Sequence, residues 1–118
     1  MKLKREVDGS CTFRCPGCSE LHTLNVDQDC RPWWTWNGSM DKPTFTPSYL
    51  EATGHYTRRH KPGDDCWCTY SAKNPEWGAH FKCHICHSFI TDGRIQFLND
   101  CTHDLKGQTV DLPEIVND

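Results

Sequence analysis

The sequence predicts a small β-rich domain, α+β at most, held together by bound zinc. Three observations predict it. Only 36% of the 118 residues are hydrophobic, and that share includes nine Cys and five Trp. A chain this short with so few aliphatic side chains needs a metal or disulfide staple. Seven Pro and eight Gly stand against three alanines, Ala52, Ala72 and Ala79, which excludes a helical bundle. Most of the cysteines fall in pairs at metal-ligand spacing.

The length suits one zinc-binding domain, 1–118, with residues 53–82 as a long loop insertion carrying Cys66 and Cys68. A net charge of −3 argues against a protein that coats nucleic acid. Met1-Lys2-Leu3-Lys4-Arg5-Glu6 has no apolar run behind it, and no membrane span is visible. A cytoplasmic location is therefore expected, where thiols stay reduced. The odd number of cysteines also leaves a disulfide framework one partner short.

Residues 11–26 read as a strand, a tight cysteine turn and a second strand. Trp34-Thr35-Trp36 alternates into an Asn37-Gly38 turn. Pro43 and Pro47 deny a central strand position, so residues 43–50 read as an edge strand or extended arm. Residues 53–65 and 71–79 are polar, broken by Pro62-Gly63-Asp64-Asp65 and Asn74-Pro75, and read as loops around Cys66-Trp67-Cys68. Trp67 is expected to point into the core.

Residues 86–99 predict a hairpin on Asp92-Gly93, the pair that a type I′ turn prefers. That turn sets Thr91 opposite Arg94, Ile90 opposite Ile95 and Ser88 opposite Phe97. Ile90, Ile95 and Phe97 then share the buried face, and Cys101 lies diagonal to Cys86. Beyond the hairpin, Asp100 is placed to cap a short helical turn ending at Gly107.

Cys15-Pro16-Gly17-Cys18 has zinc-knuckle spacing: the turn aims both sulfurs at one ion, and Gly17 permits the sharp backbone. Cys83-His84-Ile85-Cys86 is a second knuckle. With Cys66 and Cys68 it gives a closed four-thiolate set, the form of structural zinc. The first knuckle then needs two more ligands, which Cys101 and His103 supply. In the competing partition Cys15 and Cys18 join Cys83 and Cys86. His22, weighed against a surface histidine, and Cys11, which shares a strand face with Cys15, are further candidates. Two zinc ions are expected, or one if the knuckles share a site.

Residues 83–87 also match C-x-x-C-H, the haem-attachment string, but that chemistry needs export. The zinc-deaminase pattern is absent, since no His has Glu two residues on. The basic run His55, Arg58, Arg59, His60 and Lys61 is countered by Asp64 and Asp65 and reads as a solvated loop. Trp33, Trp34 and Trp36 read as core substitutes for the missing aliphatics.

Several strings occur in a recognisable order: Cys15-Pro16-Gly17-Cys18, Trp36-Asn37-Gly38, Pro43-Thr44-Phe45-Thr46-Pro47-Ser48, residues 86–98, Asp100-Cys101-Thr102-His103 and Gly107-Gln108-Thr109-Val110. Together they resemble a family of small phage- and prophage-encoded proteins of unknown function, often labelled ammonia monooxygenase. The resemblance spans nearly the whole chain. It implies a phage origin and supplies no activity, and the chain has no copper site to match the label.

The expectation is thus a phage-encoded zinc-binding accessory protein. It would act in the bacterial host cytoplasm by binding a host or phage macromolecule, a protein above all, to modulate the host or its defence. Catalysis is less favoured. A zinc hydrolase would draw on His87, Asp100, Cys101 and His103, with His87 or Asp100 moving protons beside an open metal position. Single-stranded nucleic-acid binding through the tryptophans and the Arg–His loop is the third reading.

Overall fold

A computed structural model describes residues 1–76 and 83–115. Strands β1 (Lys4–Arg5), β2 (Cys11–Cys15) and β3 (Glu20–Leu24) form one antiparallel sheet. A second antiparallel sheet runs, in chain order, through β4 (Thr35–Trp36), β5 (Phe45–Ala52), β6 (Ile85–Thr91), β7 (Arg94–Phe97) and β8 (Thr109–Asp111). A 3-10 turn (Gly54–Tyr56) and helix α1 (Trp67–Lys73) lie in the long connection between β5 and β6. The β-rich class expected from composition is the one that forms.

Alternation in each strand decides which side chains meet. In the first sheet Cys11 stands opposite Leu24 and Phe13 opposite His22. Together with Cys15 these side chains are buried on one face. In β6 the buried residues are Cys86, Ser88 and Ile90, while His87 and Phe89 turn the other way. Asp92 and Gly93 both take positive φ, 53° and 80°, as a type I′ turn requires. The ladder that follows pairs Thr91 with Arg94, Ile90 with Ile95 and Ser88 with Phe97, the register expected from the turn. Ile90, Ile95 and Phe97 are buried with Leu3, Phe13, Leu24, Phe45 and Leu112. Trp34 and Trp36 pack against this core, whereas Trp33 is exposed.

Three local expectations change. β5 is not an edge strand where the prolines fall, because β4 pairs with Phe45 and Thr46 on one side and β6 lies on the other. Pro47 is accommodated by a register shift between Phe45 and Tyr49, a bulge in which the ladder asks no N–H of residue 47. Residues 67–73 form a helix rather than a loop, and Trp67 is 36% exposed, edge-on to Tyr70 at 5.8 Å instead of in the core. The end of the loop expected at 71–79 lies outside the described residues. Asp100 caps no helix: the chain after it folds into hydrogen-bonded turns, with Gln108 N–H on Leu105 C=O at 3.0 Å. Among the described residues no helix is long and apolar enough to cross a membrane.

Candidate active site and metal-ligand clusters

Across β5 and β6, Tyr49 stands opposite Ser88 and Leu50 opposite His87. Alternation therefore puts Ser48, Leu50 and His87 on the outer face of the sheet, with Tyr49, Ser88 and Cys86 toward the core. Ser48 lies within the register shift between Phe45 and Tyr49, the kind of irregularity that re-aims a stretch of strand. Ser48 Oγ lies 3.0 Å from His87 Nε2. His87 Nδ1 in turn lies 3.0 Å from Asp100 Oδ2.

The backbone behind this chain of contacts is tied down. His87 N–H points to Cys101 Sγ at 3.2 Å, and Leu98 N–H donates to His87 C=O at 2.9 Å. Asp100 thus reaches His87 from a turn fixed to the His87 backbone. Serine, imidazole and carboxylate linked in this order can act as a hydrolytic relay, in which Nε2 would accept the hydroxyl proton and the carboxylate would hold the Nδ1–H tautomer. Asp100 is half exposed and His87 partly so, and the relay opens to solvent. Leu50 and Phe89, each two residues along its strand from Ser48 or His87, expose apolar surface on the same face.

The core side of β6 holds a different chemistry. Cys15, Cys18, His22 and Cys86 bring their donor atoms within 4.8 Å of one another. Cys15 Sγ and Cys86 Sγ are 3.7 Å apart, close to the edge of about 3.8 Å in a tetrahedron with Zn–S bonds of ~2.3 Å. His22 Nδ1 sits 2.6 Å from Glu51 Oε2, and Nε2 is buried without a hydrogen-bond partner. A carboxylate behind a ligating imidazole is the usual outer support of a zinc ligand. Hydrogen bonding from Cys18 and Cys86 draws the Cys15 thiol far down, and the same contact with Cys15 pushes Cys18 up to about 12 and raises Cys86. Without a cation, only one of the three ionises readily. The donor set fits a metal ion.

His55, Cys66, Cys68 and Cys83 form a second, more exposed group. It draws on the 3-10 turn, the start of α1 and the entry to β6, with His55 Nδ1 at 3.8 Å from Cys68 Sγ. The Thr69 N–H in the first helical turn, helped by His55, lowers the Cys66 thiol to about 6. At Gly54, where φ is +62°, any Cβ would collide with Cys83. A third group, Cys86, Cys101 and His103, overlaps the first. The His103 ring stands edge-on to Phe97 at 4.5 Å and against Gly17, where a Cβ would strike it.

A family model described as "Bacterial ubiquitination-like system serine protease (BubE)" matches residues 2–98. The chain belongs to the BubE family. No curated protein and no solved structure matches it. The matched span includes Ser48 and His87 and stops two residues short of Asp100.

For a BubE-family chain the expectation of a phage-encoded zinc accessory protein is overturned, since the family is named for a serine protease. The match carries neither a phage link nor an ammonia monooxygenase label. The zinc-hydrolase arrangement is corrected as well. His87 and Asp100 turn outward to Ser48, while Cys101 and His103 stay beside Cys86.

The cysteine partition also differs from the expected one. Cys15 and Cys18 come together, but Cys83 and Cys86 separate, because β6 has begun and Cys86 faces inward while Cys83 turns to Cys66 and Cys68. His22 and His55 supply the imidazoles. His22 was legible as a polar residue at a buried strand position diagonal to Cys15. Cys11 is buried in the core and belongs to none of the groups found among the described residues. The sequence does not single out Ser48, which has no Gly-x-Ser-x-Gly frame around it; the nearest signal is the Pro47 that precedes it.

Proposed function

We propose that the protein is a serine protease serving a bacterial ubiquitination-like system, with Ser48 as nucleophile. The observation that carries this reading is the Ser48–His87–Asp100 relay with its two 3.0 Å contacts, and membership of the BubE family supports it. His87 Nε2 takes the hydroxyl proton as Ser48 Oγ bonds to the substrate carbonyl carbon. When the tetrahedral adduct collapses, the C–N bond breaks and His87 returns the proton to the leaving amine. Water, deprotonated by His87, then cleaves the acyl ester and restores Ser48. Asp100 keeps Nε2 free to act as the base by holding the proton on Nδ1.

A fluorophosphonate probe tests this. Mass spectrometry of the labelled protein is expected to find one adduct, on Ser48, and none in Ser48→Ala. No adduct on the folded protein, or an adduct that survives the substitution, overturns the reading.

Asp100→Asn is expected to lower kcat/KM by roughly 10²- to 10⁴-fold. Loss of a buried carboxylate from such a relay costs about 10⁴, and solvent around the half-exposed Asp100 takes over part of its role. Steady-state kinetics on one peptide substrate, with a thermal melt as control for folding, reads the effect.

We further propose two structural zinc ions, one held by Cys15, Cys18, His22 and Cys86, the other by His55, Cys66, Cys68 and Cys83. Both sets have four ligands, which leaves no open position for chemistry. A bound ion neutralises the thiolates and cross-links the segments that carry them. Nine free cysteines accord with a reducing cytoplasm. The partner in this reading is a polypeptide substrate, with no role for nucleic acid or membrane.

A further inference from the structure

The backbone of β5 turns alternately to its two sides, and its hydrogen bonds say which way. Thr53 N–H donates to His84 C=O at 2.9 Å, so in the ladder Tyr49–Ser88, Leu50–His87, Glu51–Cys86 the odd-numbered residues direct N–H and C=O at β6. The even-numbered ones face away. β4 takes the first of these: Asn37 N–H donates to Thr44 C=O at 3.1 Å, and Thr35 pairs with Thr46. At Ser48 the strand partner has ended, and the Trp34 indole N–H donates to Ser48 C=O at 3.2 Å in its place. Beyond it, no backbone partner among the described residues meets the outward N–H and C=O of Leu50 and Ala52.

We propose that the substrate binds as an extended polypeptide segment paired with this open edge of β5 at Leu50 and Ala52. The inference rests on the protease reading and adds the mode of recognition. Strand addition of this kind draws affinity from main-chain hydrogen bonds and specificity from alternate side chains. The edge begins two residues from the nucleophile on the nucleophile's own strand, so a paired segment is delivered to Ser48 in register. Trp34 and β4 close the edge beyond Ser48, so the paired run ends at the nucleophile and the scissile bond lies near that end. Alternate side chains of the segment fall on the face that exposes Leu50 and Phe89, which favours apolar residues there.

The test uses the full chain and two probes, a fluorophosphonate and a degenerate library of internally quenched decapeptides. A decapeptide cleaved from the library is resynthesised with N-methyl groups placed one residue at a time. Methylation at alternate residues is expected to reduce kcat/KM about tenfold or more, because each removes an edge hydrogen bond, and methylation between them is expected to do little.

Ala52→Pro, which loses the outward N–H but no bond to β6, is expected to slow the same peptide by a similar factor while Ser48 still takes up the fluorophosphonate. An N-methyl scan without a two-residue period, or wild-type cleavage by Ala52→Pro, overturns the proposal. So does a protein that labels at Ser48 yet cleaves no decapeptide, which points to recognition of a folded partner. Absence of labelling in the wild type instead removes the protease reading itself.

Discussion

Ser48→Ala is expected to reduce kcat by roughly 10⁵-fold or more, leaving only the background that substrate binding provides. The substitution deletes the atom that bonds to the carbonyl carbon, and no other hydroxyl contacts His87 Nε2 among the described residues. His87→Ala is expected to cost about as much, and the double variant no more than either alone, since nucleophile and base act as one unit. The backbone C=O of Ser48 that receives the Trp34 indole is unaffected, so the melting temperature should shift only slightly. Kinetics on a cleaved peptide, with matched thermal melts, decide it. Residual activity above about one part in a hundred in Ser48→Ala would assign the chemistry to another residue.

What the sequence made legible follows from how local each signal is. Asp92-Gly93 dictates its own turn and therefore a whole register, so the β6–β7 ladder and the burial of Ile90, Ile95 and Phe97 were readable in advance. Cys15 and Cys18 sit on one tight turn, and their association needs no tertiary knowledge. Cys83 and Cys86 share that spacing, yet an extended backbone sends them to different groups. Spacing specifies a knuckle only where the chain bends.

Ser48 was hidden for a related reason. Its partner comes from across a sheet, 39 residues on, and its aim depends on a bulge that no short pattern announces. The sequence does offer His87 and Asp100 as proton-transfer groups. Their outward orientation comes from the parity of β6, which the hairpin register does contain: if Ile90 and Ser88 face in, His87 faces out. Carrying that parity through would have separated His87 from the inward Cys86 and from any metal held there.

Removal of the buried metal site is expected to have the second large effect, on folding itself. Cys15 and Cys86 are fully buried, and the group they form with Cys18 and His22 joins the first sheet to the second. Structural zinc supplies on the order of 10 kcal/mol in small zinc domains, comparable with the whole stability of a domain of this size. Cys15→Ser should therefore abolish the cooperative thermal transition. Cys66→Ser touches the exposed group in the β5–β6 connection, away from the sheet core, and should lower zinc content from two ions per chain to one while Ser48 still labels.

The contrast between these two variants carries the assignment, because a generic loss of thiols would affect both alike. Cobalt substitution separates the histidines: His22→Ala should change the thiolate-to-metal spectrum of the buried site, and His103→Ala should leave it in place. Two ions and a cooperative melt in Cys15→Ser would refute the four-ligand set. The buried site matters to the relay through adjacency. Cys86 immediately precedes His87, and the Cys101 sulfur beside that cluster accepts the His87 N–H. On the proposed reading, the strand that presents His87 to solvent is the one that a metal in the buried group would anchor from its other face, so removing that metal is expected to extinguish labelling along with the fold.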